Sequence, residues 1–251
     1  MHPYSSNFCA DDWGLSPGVN AGILELARKQ LLFSVSCLAN STYLADGLLE
    51  LLSYEKDGLQ FHIHFNLTYG HSKFSHAELP SLTSRSGAFF DVKTLMIKAL
   101  MRQVAPEEYE NTFLQQMKIL KDYGIPISGL DGHHHVHLLP SVYSAIKKLL
   151  PQNGIKRVRT MIDPQHMMSF LQSAYFKKFV FDSSVGLNLL PCGYVLTKNL
   201  KSSRLIKEKL NLYQHMIVHP AKFNDFKFVG MNDKLQEGRL TELKLLLEYL
   251  S

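Results

Sequence analysis

Strand-like and helix-like segments alternate along this chain, and ionisable residues collect where the strand-like segments end. Such alternation calls for a mainly parallel sheet, because two parallel neighbours need a long, usually helical, return connection. Ser16-Pro17 reads as an N-cap and a first-turn proline, and Ile23, Leu24, Leu26 and Ala27 give the following helix its apolar face. Leu32 to Leu38 (LFSVSCL) is rich in strand formers, and a helix is expected around Leu44 to Leu52. From Leu59 to Leu67 the pattern alternates, with Phe61, Ile63, Phe65 and Leu67 on one side and His62, His64 and Asn66 on the other. Residues 69–90 show no period, and loops of that length often act as lids or binding loops. Helical patterns resume at 92–103 and 107–123, a short strand is expected at Pro126 to Asp131, and Pro140 starts a helix to about Leu150. Strands at Lys156 to Ile162 and His215 to His219 and an amphipathic helix near Leu235 to Leu250 follow, with no internal repeat. The expectation is one domain over 1–251, its sheet closed as a barrel or left open. In either case sites gather at the carboxyl ends of strands.

With 45% hydrophobic residues in 251, the chain can bury a substantial core. Its net charge of +5 is spread out, with no basic run longer than two residues, so a nucleic-acid partner is not expected. Cys9, Cys37 and Cys192 are far apart and odd in number, which suits a reducing, cytoplasmic setting better than a disulfide framework. No stretch reads as a signal peptide or a membrane helix, so stable membrane insertion is not expected.

Four segments carry candidate chemistry. ADDWGLSPGVN (10–20) sets Asp11 beside Asp12, and two such carboxylates resist joint ionisation unless a cation or hydrogen bonds intervene. One could bind a metal while the other serves as general base; helix capping is the competing use, although Ser16 already fills that place. His64, followed by Asn66 and Thr68, stands late in its strand. DGHHHVHLLP (131–140) packs four histidines into five positions beside Asp131, an orienter or ligand. If that strand continued, His133, His135 and His137 would share a face, one or two of them as ligands and the rest as supporting contacts. His219, held before Pro220 at a strand end, is a candidate general acid.

ADDWGLSPGVN, HFNLT (64–68), DGHHHVHLLP and HPA (219–221), in this order, resemble the YdjC-like family of carbohydrate deacetylases. The resemblance implies a distorted (β/α) TIM-like barrel of the polysaccharide-deacetylase type. It implies a divalent metal held by Asp12, His64 and His133, with Asp11 as catalytic base: Mg²⁺ by family, Zn²⁺ as the alternative that suits one carboxylate and two imidazoles. The implied reaction removes an N-acetyl group from an amino sugar in a chito-oligosaccharide, related glycan or glycolipid, with His219 protonating the leaving amine. Asn66, Asp131, His135, Arg157 and Arg159 are expected near the substrate, structural ion pairing being an equal prospect for the two arginines. The resemblance leaves the roles of His134, His135 and His137 open. Two other readings use the same residues: a metal-dependent hydrolase of a phosphoester or another amide, and a non-catalytic carbohydrate-binding protein on this fold. A glycosidase is disfavoured, because its two carboxylates should flank the bond from opposite sides. His62 stands where the family usually has a small residue, and a homodimer is the default assembly.

Overall fold

The computed structural model describes residues 7–161, 177, 186–194, 206, 208, 212–223, 225 and 236–248. Seven parallel strands close into a barrel in chain order: β1 (Phe8–Trp13), β2 (Leu32–Cys37), β3 (Gln60–Phe65), β4 (Ile127–Gly132), β5 (Arg157–Met161), β6 (Asn188–Tyr194) and β7 (Met216–Val218). Closure comes from pairing of β7 with β1, Phe8 opposite Met216 and Ala10 opposite Val218. The described helices are α1 (Pro17–Arg28), α2 (Leu48–Leu52), α3 (Val92–Leu100), α4 (Pro106–Asp122), α5 (Pro140–Ile146), α6 (Leu149–Gln152) and α7 (Gln236–Glu248). None of them is long and apolar enough to cross a membrane. The three cysteines are buried and unpaired by disulfides.

Most expected elements fall within a few residues of their place, and the closed parallel barrel is the fold expected from the resemblance. Three differences have physical causes. Strand β6 (NLLPCGY) was not anticipated, because Pro191 cannot donate to a ladder and argues against an interior strand. Asp11 and Asp12 lie inside β1 and not at its end, where ionisable residues were expected to collect; there the register shifts between Ala10 and Trp13 and Asp12 takes a φ of 72°. The helix expected at 140–150 is two short ones, α5 and α6. Ile162, Leu235, Tyr249 and Leu250 lie outside the described residues.

Local chemistry explains how α1 is set. Ser16 caps it by accepting from Val19 N–H (3.2 Å), as its sequence suggested, and donates to Asp225 (2.8 Å), which also accepts from Gly18 N–H (2.6 Å). On the next barrel segment, Phe61, Ile63 and Phe65 alternate with His62 and His64, and Phe65 meets Phe113 of α4 edge-on at 5.7 Å. The two histidines consequently point into the barrel. Register places His62 opposite Gly129 and His64 opposite Asp131.

The interior is polar where barrels of this class usually stack branched apolar side chains. Asp11, Ser36, His62, His64, Asp131 and Arg159 are all at most 3% exposed. His62 fits because Gly129 faces it: a Cβ there would lie well inside contact distance of the His62 ring. Gly129→Ala is therefore expected to cost about 1–3 kcal/mol in denaturant unfolding. The cost should shrink in the His62→Ala background, since the clash partner is gone; an equal cost in both backgrounds would contradict this packing.

Candidate active site

Three side chains from three strand ends converge at the barrel mouth. Asp12 Oδ1 lies 3.2 Å from His64 Nε2 and 3.1 Å from His133 Nδ1, and the two imidazole nitrogens are 3.4 Å apart. Donor atoms so spaced match the edges of a coordination shell with donors ~2.0–2.2 Å from one ion. One carboxylate oxygen and two imidazole nitrogens are also a common ligand set, so these residues fit a divalent cation. A second grouping, Asp11, His64 and Asp131, is close enough as well, but both of its carboxylates are already paired with Arg159. The first grouping reaches the mouth through His133, whose side chain is 12% exposed.

Behind these donors stands a buried ionic layer. Asp131 Oδ1 bonds His64 Nδ1 at 2.6 Å, leaving Nε2 to face Asp12. Its Oδ2 accepts from Ser36 Oγ (2.7 Å) and Arg159 Nη2 (2.8 Å) and meets His62 Nδ1 at 3.1 Å. Such a carboxylate fixes the orientation and tautomer of the imidazole in front of it. Arg159 Nη1 also donates to both oxygens of Asp11 at 2.7 Å. Burial opposes ionisation of Asp131, but Arg159 and then His62 and His64 hold its carboxyl well below the usual range. Burial likewise opposes ionisation of Asp12, which Arg239, His133 and His64 outweigh. For His64, burial favours the neutral ring, yet Asp11, Asp12 and Asp131 prevail and push it up to about 10.

The His run does not continue β4. The strand stops at Gly132, and residues His133–Leu138 form a tight turn with His134 and His135 both left-handed, at φ 53° and 57°. The expected shared face of His133, His135 and His137 is thus absent. His133 joins the donor cluster. His134 is exposed, its ring 4.2 Å from that of His133 and its Nδ1 2.9 Å from Thr68 Oγ1. His135 is half-buried beside the site, where burial and then His137 and Arg159 depress its basicity. His137 turns back into the protein and its Nε2–H donates to the Arg159 carbonyl at 3.0 Å. Gly132 admits this return, since a Cβ there would sit 2.9 Å from His137 Nδ1.

Several expected substrate contacts have other work. Asn66 is buried, donating to Asn40 Oδ1 and Tyr69 O and accepting from the N–H groups of Thr68 and Tyr69. Asp131 is wholly buried behind His64, so it orients a ring and does not face a ligand. Arg157, the first residue of β5, bonds Gln60 and lies over Phe33, both near the starts of their strands. It is at the opposite end of the barrel from the donor cluster. His219 does reach the site, with Nε2 3.8 Å from Asp11 Oδ2; burial, then Arg239, depress it to about 4. Sequence reasoning missed Arg239 and Glu242, both buried on α7. Arg239 donates to Asp12 Oδ2 at 2.6 Å, and Glu242 accepts from His219 N–H at 2.5 Å. A charged residue pair three apart on an amphipathic helix is ordinary, and only tertiary placement distinguishes this one.

His137 gives the site a pH dependence of its own. Burial depresses its pKa from 6.5 to about 4, against the opposing pull of its bond to the Arg159 carbonyl. Its unfolded form binds more protons between those values, so its stabilisation is complete above about pH 6.5 and declines as pH falls through about 4. The full swing is roughly 3 kcal/mol. Unfolding measured from pH 7.5 to 4 should show a shallower decline in His137→Gln, which keeps a neutral donor; an unchanged slope would rule this source out.

The family model described as YdjC-like protein matches residues 7–249. Carbohydrate deacetylase 1 of Listeria innocua is 34% identical over 148 residues, which cover 59% of this chain and 58% of that protein. A chitooligosaccharide deacetylase of Salmonella schwarzengrund is 31% identical over 153 residues, 58% of this chain and 55% of that protein. The chain thus spans less than two thirds of the length of these curated relatives. A crystal structure from Enterococcus faecalis V583, of a protein provisionally named for cellobiose-phosphate cleavage, has the same fold. It aligns at a TM-score of 0.75 over 97% of this chain and 91% of that one, with 20% identity. With nearly its whole length matched by the family model, this chain belongs to the YdjC-like family.

Proposed function

We propose that this protein is a cation-dependent deacetylase that removes N-acetyl groups from an amino sugar in a chito-oligosaccharide or related glycan. The observation that carries this reading is the convergence of Asp12, His64 and His133 within 3.1–3.4 Å, with Asp11 adjacent in sequence and His219 beside it. The names of the Listeria and Salmonella relatives support the same chemistry. Those three residues would hold a divalent cation, Mg²⁺ by family resemblance or Zn²⁺ by ligand type, which would supply Lewis acidity at the amide carbonyl and at water.

Asp11 takes the proton from the attacking water as the new C–O bond forms. Arg159, donating to both oxygens of Asp11, fixes the direction of that carboxylate. His219 starts neutral, since its pKa is depressed to about 4, and so cannot begin as the acid. It gains the proton that Asp11 removed, across the 3.8 Å between them, and delivers it to the sugar nitrogen as the C–N bond breaks. Acetate and the free amine leave, and both residues return to their starting protonation.

Acetate release from diacetylchitobiose and longer N-acetylglucosamine oligomers tests this, using metal-stripped protein reloaded with Mg²⁺ or Zn²⁺. Asp11→Asn should lower kcat by roughly 10²–10⁴-fold while leaving cation affinity near that of the wild type. A cation-loaded wild type that releases no acetate from these sugars would overturn the substrate assignment. Wild-type protein that binds neither cation would overturn the centre itself.

A further inference from the structure

The last helix brings a cation to the back of the candidate metal centre. Arg239 and Glu242, three residues apart and so on one face of α7, are 2% and 0% exposed. Burying such groups costs several kcal/mol each unless they meet charged or polar partners. Arg239 Nη2 donates to Asp12 Oδ2 at 2.6 Å, while the other oxygen of the same carboxylate, Oδ1, faces His64 Nε2 and His133 Nδ1. The carboxylate is thereby divided: one oxygen belongs to the arginine and one to the donor cluster. The helix is tied to the strand-end segment that carries His219 at two points. Glu242 Oε1 accepts the His219 N–H at 2.5 Å, and the Arg239 carbonyl accepts the Ala221 N–H at 3.3 Å. Asp12 itself sits in a left-handed backbone conformation at a register shift of β1, so the strand ladder alone does not fix its side chain.

We infer that Arg239 is a positioning residue of the reaction centre, acting through Asp12: it holds Oδ2 so that Oδ1 is presented to the cation together with His64 and His133. The inference rests on the cation-binding reading above. It also gives α7 a part in the site, because Glu242 sets the helix against the His219 segment and thereby sets the approach of the guanidinium.

The test is a double-mutant cycle read by Zn²⁺ titration calorimetry with a competing chelator, on the full chain. Arg239→Met should weaken Zn²⁺ binding roughly 10- to 100-fold, the usual loss when a partner of a metal ligand is removed. Arg239→Lys, which keeps the charge with a single nitrogen, should recover part of it. Because the arginine acts through Asp12, adding Arg239→Met to Asp12→Asn should weaken binding no further; a structural effect on the barrel would instead add to the loss. Additive losses, or wild-type affinity in Arg239→Met, would overturn the inference while leaving the deacetylase reading intact. Should Arg239→Met fail to fold, Arg239→Lys in the same cycle decides the matter. Absence of both Zn²⁺ and Mg²⁺ binding by the wild type would overturn both.

Discussion

One guanidinium makes the interior of this barrel possible. Arg159 is 1% exposed and bridges Asp11 and Asp131, two carboxylates that are themselves at most 2% exposed. Burial works against the charged arginine, but Asp11 and Asp131 outweigh it and hold its pKa above the ordinary value. Each member of the trio would be costly to bury alone, and removing the shared cation would strand two anions in the core, typically a loss of about 3–5 kcal/mol for a broken buried pair. Through Asp131 the arginine governs the direction of His64; through Asp11 it governs the proposed base. Its backbone carbonyl is also where His137 ties the histidine turn to β5.

Much of this was legible in the sequence, for reasons that differ by residue. The mainly parallel sheet was readable because alternating strand and helix periods report which faces are buried, its closure into a barrel came from the family resemblance, and His62 and His64 were rightly paired on one face by parity alone. The donor set Asp12, His64 and His133 was reachable only through the family resemblance, since strand-end position does not say which of four clustered histidines turns inward. Arg159 and Arg157 looked equivalent because they share a face of β5. Two residues of strand rise separate a site-facing guanidinium from one at the other end of the barrel, and only the register decides between them. Arg239 and Glu242 were invisible because their significance comes from tertiary contacts, the one from Arg239 to Asp12 spanning 227 residues of chain.

The histidine run shows how local strain can organise a site. Left-handed backbone at a residue with a β-carbon costs roughly 1–2 kcal/mol, and His134 and His135 both adopt it. An extended run would have sent three rings to one face and left the carbonyl of Arg159 without the His137 donor. Two left-handed residues let His133 face Asp12 while His137, four positions on, enters the core. The glycine before the turn completes the device, because the returning imidazole occupies the space a side chain would need. The cluster is thus divided between a structural clasp and a member of the candidate donor set, with His134 at the rim against Thr68.

The charges around the donor cluster suggest why protonation and cation binding belong together. Asp11, Asp12 and Asp131 face Arg159 and Arg239, and the same three carboxylates push the His64 ring up to about 10. Opposite charges thus meet throughout the layer, which lowers the cost of burying it. His64 Nε2 is also the atom that would bind the cation, so its proton must leave as the cation arrives. On the proposed chemistry, exchanging a proton for a divalent cation would add one positive charge at the mouth. That added charge would stand where the amide oxygen becomes negative during attack, and would be offset only as the negative charge develops. A site that gained positive charge on loading would, on that proposal, favour the transition state over the uncharged substrate with no movement of the barrel.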